Sequence, residues 1–140
     1  MTTDQVRIIG RLPNSTATPS PGKKGVYPPS AIDFYKLLRE RDIDVHFEHA
    51  KQDREYLSLH SVEIWLPVLA IGGNLLLSIG GGLVSNLVYD WLAIKELPVE
   101  ETELHVEFKV VKEDSTHEFK ADGKASNVLR TLKEFEEKWK

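Results

Sequence analysis

Histidine is the side chain best suited to proton transfer near neutral pH and to metal ligation, and this chain has five. His46 and His49 flank Glu48 inside an alternating stretch, residues 44–49 (DVHFEH). On a strand, positions three apart point to opposite faces, so one metal ion cannot take both rings. His60 and Glu63 are spaced for one helical face, but two ligands do not make a site. The run Gly80, Gly81, Gly82 has no Lys-Ser/Thr after it and does not follow a strand, so it reads as close packing or a helix break rather than a phosphate cradle. Serine and threonine are plentiful but sit in no nucleophile elbow and beside no evident base. With no cysteine there is no thiol nucleophile, disulfide or thiolate zinc site. The residue types therefore nominate no catalytic group, no metal ligand set and no cofactor, and a non-enzymatic protein is expected.

The bulk numbers point the same way. Over 140 residues the net charge is −4, with Lys and Arg scattered among carboxylates. No basic stripe marks a nucleic-acid surface, so no nucleic-acid partner is expected. The opening residues MTTDQVRIIGRL lack the basic start and apolar core of a signal peptide, which suggests a cytoplasmic protein.

Stepping along the chain, Val6 and Ile8 alternate with Arg7 and Ile9 as a first strand. Residues 13–29 hold five of the seven prolines and are expected to form a flexible loop. Ser30 is placed to cap a helix ending near Arg41, with Asp33 at the capping-box position and Ala31, Phe34, Leu37 and Leu38 as its buried face. Val45 and Phe47 face inward on a second strand, parallel to the first if the crossover is right-handed. Leu104, Val106, Phe108 and Val110 form the clearest strand, and residues 117–121 return as its hairpin partner. A final amphipathic helix from Ser126 or Asn127 buries Leu129, Leu132, Phe135 and Trp139.

Between Glu63 and Asp90 there is no charged residue. As one helix, residues 64–89 would reach roughly 39 Å at ~1.5 Å per residue, longer than the ~30 Å hydrocarbon core of a bilayer. Pro67, Gly72, Gly73 and the glycine triplet oppose this, at about 1 kcal/mol per interior glycine relative to alanine, and suggest a break near residue 80. On a helical wheel Asn74, Ser78, Gly81 and Ser85 fall in one narrow stripe, which is either a close-packing surface or a seam for helix association. Trp65, Trp91 and Trp139 read most simply as core or boundary residues, although Trp65 and Trp91 also flank the segment as an interfacial aromatic pair would.

The glycine-containing segment IGGNLLLSIGGGLVSNLVYDWL, the hairpin LHVEFKVVKEDSTHEFKADG and the helix NVLRTLKEF together resemble the effector-associated constant component domains of bacterial conflict and defence systems. The resemblance covers roughly residues 60–137 and implies a non-catalytic adaptor joining a sensor to an effector. The expectation is one α+β domain over residues 1–140, in the order β-α-β-α-β-β-α. Its mixed sheet has about four strands, and a long apolar helix or helical hairpin covers it. Function is expected to be an interaction or regulatory module acting on another protein or on itself. The alternative is a small membrane-associated effector in which residues 64–89 insert and oligomerise.

Overall fold

A computed structural model describes residues 4–13, 24–57, 63–79 and 82–137. Strand β1 (Val6–Ile9) follows its alternation, with Val6 and Ile8 fully buried. The expected loop over residues 13–29 is shorter than its proline content suggests, because β2 (Gly25–Tyr27) occupies part of it; residues 14–23 lie outside the described residues. Helix α1 (Ser30–Glu40) buries Ala31, Phe34, Leu37 and Leu38 as expected.

Its start differs from the expected capping box. Pro29 is the N-cap, whose ring leaves no N–H to satisfy. The Ser30 hydroxyl instead donates to the carbonyl of Trp65 at 2.8 Å. Asp33 is drawn across the fold, accepting from the Trp91 indole N–H at 3.0 Å and facing Lys95 Nζ at 3.2 Å.

Strand β3 (Val45–Phe47) pairs in parallel with β1, Val6 opposite Val45 and Ile8 opposite Phe47, giving the expected β-α-β unit. A 3-10 turn (Lys51–Asp53) then leads into β4 (Arg54–Tyr56), which pairs in parallel with β2 as a separate two-stranded ribbon.

The apolar segment departs most from expectation. Its first third is extended, as β5 (Glu63–Trp65) and β6 (Val68–Gly72). Only afterwards come α2 (Gly73–Ile79) and α3 (Leu83–Ile94). Every residue of β6 is buried. A strand covered on both faces reads as a continuous apolar run, which periodicity alone cannot tell from a buried helix. Trp65 opposes His105 while Leu69 opposes Phe108, so three residues (66–68) face two on the partner strand. That is a bulge, and Pro67, with no N–H to give a ladder, sits in it.

Strand β7 (Glu103–Val111) and strand β8 (Thr116–Lys124) form the expected hairpin at greater length, the second strand running past residue 121 to include Asp122 and Gly123. Helix α4 (Ala125–Glu136) buries Val128, Leu129 and Leu132; the expected Trp139 lies outside the described residues.

The α+β class holds, but about four strands is too few. Among the described residues six strands join one mixed sheet in the order β3-β1-β6-β7-β8, with β5 beside β7 on the β6 side. Ile8, Leu69, Phe108 and Phe119 lie in one cross-strand row and belong to a single core with residues of α1, α3 and α4. Phe135 of α4 packs on Phe108 and Phe119 at 5.5 and 5.3 Å, and Phe34 of α1 lies 6.1 Å from Trp91 of α3. The opposite face carries Arg7, Ala70, Glu107, Lys109 and Lys120.

Candidate functional site

In sheets with parallel strands, the crevice beyond the strands' carboxyl ends is the usual place for a ligand. Here β1 and β3 end together at such a place. Gly10 follows β1, and its N–H donates to Glu48 Oε1 at 3.0 Å just past β3, tying the two ends. The Val26 N–H donates to the Gly10 carbonyl, bringing the β2–β4 ribbon against this corner.

Two glycines make the corner close. A Cβ on Gly25 would lie 2.2 Å from the His49 ring, and one on Gly10 would lie 2.5 Å from it. No larger residue fits while that ring stays in place. Tyr27, fully buried, meets the same ring through its hydroxyl, 3.0 Å from Nδ1. The His49 backbone N–H also donates to that hydroxyl at 3.2 Å. Burial pushes the Tyr27 phenol above its ordinary pKa.

From this anchored corner opens a crevice of about 680 Å³ between α1 and the end of β3. Phe47 and Tyr35 form its apolar floor, ring centres 5.3 Å apart. Arg54 lies over Phe47, its guanidinium carbon 3.8 Å from the ring centre. Its Nε donates to the His49 carbonyl at 2.8 Å, which fixes the plane of the guanidinium. Lys51, His46, Tyr56 and the carboxylate of Glu48 also line it. The arrangement presents an oriented cation on an aromatic bed, a surface suited to a carboxylate or another anion carried beside a flat apolar group.

A second cluster lies on the sheet face away from the helices. His105 stacks on Trp65 with ring centres 3.9 Å apart, and its Nδ1 bonds the Asp122 carboxylate. Nε2 lies 3.3 Å from Glu63, within ion-pair reach but off the line of a hydrogen bond. Nearby the buried Glu107 receives both terminal nitrogens of Arg11, which holds the guanidinium pKa above its ordinary value against the effect of burial. Among the described residues no group of three His, Asp or Glu is arranged to hold a metal ion.

The stripe expected from the wheel is divided by the structure. Asn74 and Ser78 are exposed on α2, where the Ser78 hydroxyl donates back to the Leu75 carbonyl. Ser85 is buried on α3, and the two helices meet at 73°. A single wheel presumes one straight axis, which this pair does not have. Gly80 and Gly81 lie outside the described residues. Gly82 is the N-cap of α3 with a φ of +79°, a left-handed conformation that favours glycine. The Val84 and Ser85 N–H groups donate to the two oxygens of Glu136, so α4 supplies the cap that α3 lacks locally.

Sequence reasoning missed the crevice because its parts are short and far apart. The available signals were the isolated glycines at 10 and 25 and the aromatic-basic content of residues 47–56. No family model, curated protein or solved structure matches the chain.

Proposed function

We propose that this protein is a non-enzymatic interaction or regulatory module that recognises a partner through the crevice beside β3. The observation that carries the reading is the pinned guanidinium of Arg54, stacked on Phe47 and held by the His49 carbonyl. An arginine fixed in this way is pre-organised for a partner's carboxylate, and the Tyr35–Phe47 floor takes the apolar group next to it. The partner segment is therefore acidic and aromatic or aliphatic. An adaptor role in bacterial defence or signalling, exercised in the cytoplasm, rests on the resemblance of residues 60–137 and is the context we favour.

Selection of a random displayed-peptide library on the folded protein tests this. Enriched peptides should pair an acidic residue with a bulky apolar one, and Arg54→Glu should abolish their binding without unfolding the protein. Enrichment that ignores the Arg54→Glu change would sink the crevice as the recognition site.

One observation favours a second reading, membrane association. Leu77 and Ile79 on α2 and Tyr89 and Ile94 on α3 are exposed. Among the described residues no single helix is long and apolar enough to cross a membrane, although the bent α2–α3 pair passes by length and composition. In this reading the exposed side chains contact the bilayer. Flotation with liposomes decides it: protein that stays at the bottom of the gradient removes the reading.

A further inference from the structure

Strand β8 is nine residues long and, among the described residues, pairs only with β7, so its outer rim is a sheet edge. The hairpin fixes which groups face that edge. The Lys112 N–H donates to the Ser115 carbonyl, making this the first hydrogen-bonded pair of the turn. Pairs alternate from there along an antiparallel ladder. Residues 117, 119, 121 and 123 thus bond to β7, while Glu118, Lys120 and Asp122 turn their backbone N–H and C=O outward; Lys124 turns its N–H outward and gives its C=O to α4, whose N-cap it is.

The side chains of those four residues alternate in sign, and all four are exposed. We propose that β8 is a self-complementary edge that pairs antiparallel with β8 of a second copy of this chain, with Ala121 on the two-fold axis. In that register Lys120 opposes Asp122 of the second copy and Glu118 opposes Lys124, and each pairing occurs twice. Lys120 and Asp122 meet with both backbone groups outward, and the outward Lys124 N–H meets the Glu118 carbonyl, so the hydrogen-bond phase agrees with the charge phase. A slip of one residue on each strand, to Lys120 or to Asp122 on the axis, puts lysine opposite lysine and acid opposite acid.

The other face agrees as well. There Phe119 opposes Gly123 of the second copy; beyond its chain neighbours no atom lies within 4 Å of where a Gly123 Cβ would be, so the pair adds no clash and Phe119 keeps its core contacts with Phe108 and Phe135. Lysines on an edge strand commonly serve only to keep other strands away. Within the chain the same four residues face Lys109, Glu107, His105 and Glu103 of β7, with Asp122 bonded to His105, and a second copy in this register continues that matched alternation across the edge, whereas the adjacent registers break it. The inference does not depend on the crevice reading, which would survive if this protein were a monomer.

Charge reversal tests it. Sedimentation equilibrium should show a dimer for the parent. Glu118→Lys and Lys124→Glu should each weaken dimerisation roughly tenfold or more, since attractive cross-strand pairs become repulsive. Mixing the two variants should restore dimerisation, because lysine then meets glutamate at both positions. The chain has no cysteine, so Ala121→Cys adds a single thiol on the proposed axis, and it should form an intermolecular disulfide on mild oxidation. Lys120→Cys, whose register partner is Asp122, should not. A parent that stays monomeric overturns the proposal, including one whose β8 takes up an unrelated extended peptide. So does a dimer indifferent to the charge reversals, or one that Ala121→Cys fails to cross-link.

Discussion

Gly25 has room for a hydrogen and nothing more: the three atoms nearest its missing Cβ all belong to the His49 ring. Gly25→Ala should therefore destabilise the protein, and His49→Ala in the same chain should recover most of the loss, a positive coupling read from denaturant midpoints. Gly10→Ala should recover less, since its Cβ would also meet the Gly25 backbone at 2.9 Å. Tyr27, in the same corner, gives a pH signature. Its native pKa is raised, chiefly by burial, so its contribution is complete below the free phenol value of about 10. That contribution is lost as pH climbs through the raised native value. The denaturation midpoint should fall on that alkaline limb, and Tyr27→Phe should flatten the fall. Parallel losses in the two proteins would assign the limb to other groups. None of this was legible beforehand, because His49, Gly10 and Gly25 are brought together by pairing between distant strands.

The ends of the helices form a second level of organisation. Helices α1 and α3 finish in the same way. The Ile43 and Leu97 N–H groups reach back to Leu38 and Leu92, and the Asp42 and Glu96 N–H groups reach Arg39 and Ala93. This is the Schellman pattern, and it places Asp42 and Glu96 at φ values of 58° and 56°, where glycine is preferred. Glu96→Gly should stabilise the protein by about 0.5–1 kcal/mol, and Asp42→Gly by less, because aspartate tolerates this conformation better. Thermal unfolding of the two variants checks the order. The helical elements were largely readable from their periodicity, α1 and α4 most clearly. Strand β6 was not, since an uncharged run buried on both faces carries no period, and β5 is only three residues long, too short to show one. The Glu136 cap of α3 was equally hidden, because donor and acceptor lie about fifty positions apart.

At the scale of the molecule, one sheet carries α1, α3 and α4 on a single face. Strand β6 is its innermost element, paired on both sides and buried throughout. Its amides, Ala70 and Ile71 among them, should exchange with solvent only through global unfolding, more slowly than those of β3 or β8. Exchange at β6 as fast as at the edges would show that the sheet opens in the middle. The sequence made the α+β class and the β-α-β start plain, while the assignment of residues 64–72 decides the sheet order and depended on partners that no local pattern names.

The same strand imposes an order of events during synthesis. Leu69 can find Ile8 as soon as both have left the ribosome, but its other partner, Phe108, is translated roughly forty residues later. Until β7 emerges, the most apolar strand of the chain has one rim without its native partner. Assembly at that rim is a long-range step of the kind that slows folding and exposes nascent chains to wrong partners. The bulge at Pro67 lies just before this rim, and its missing N–H keeps one position there from templating a stray strand.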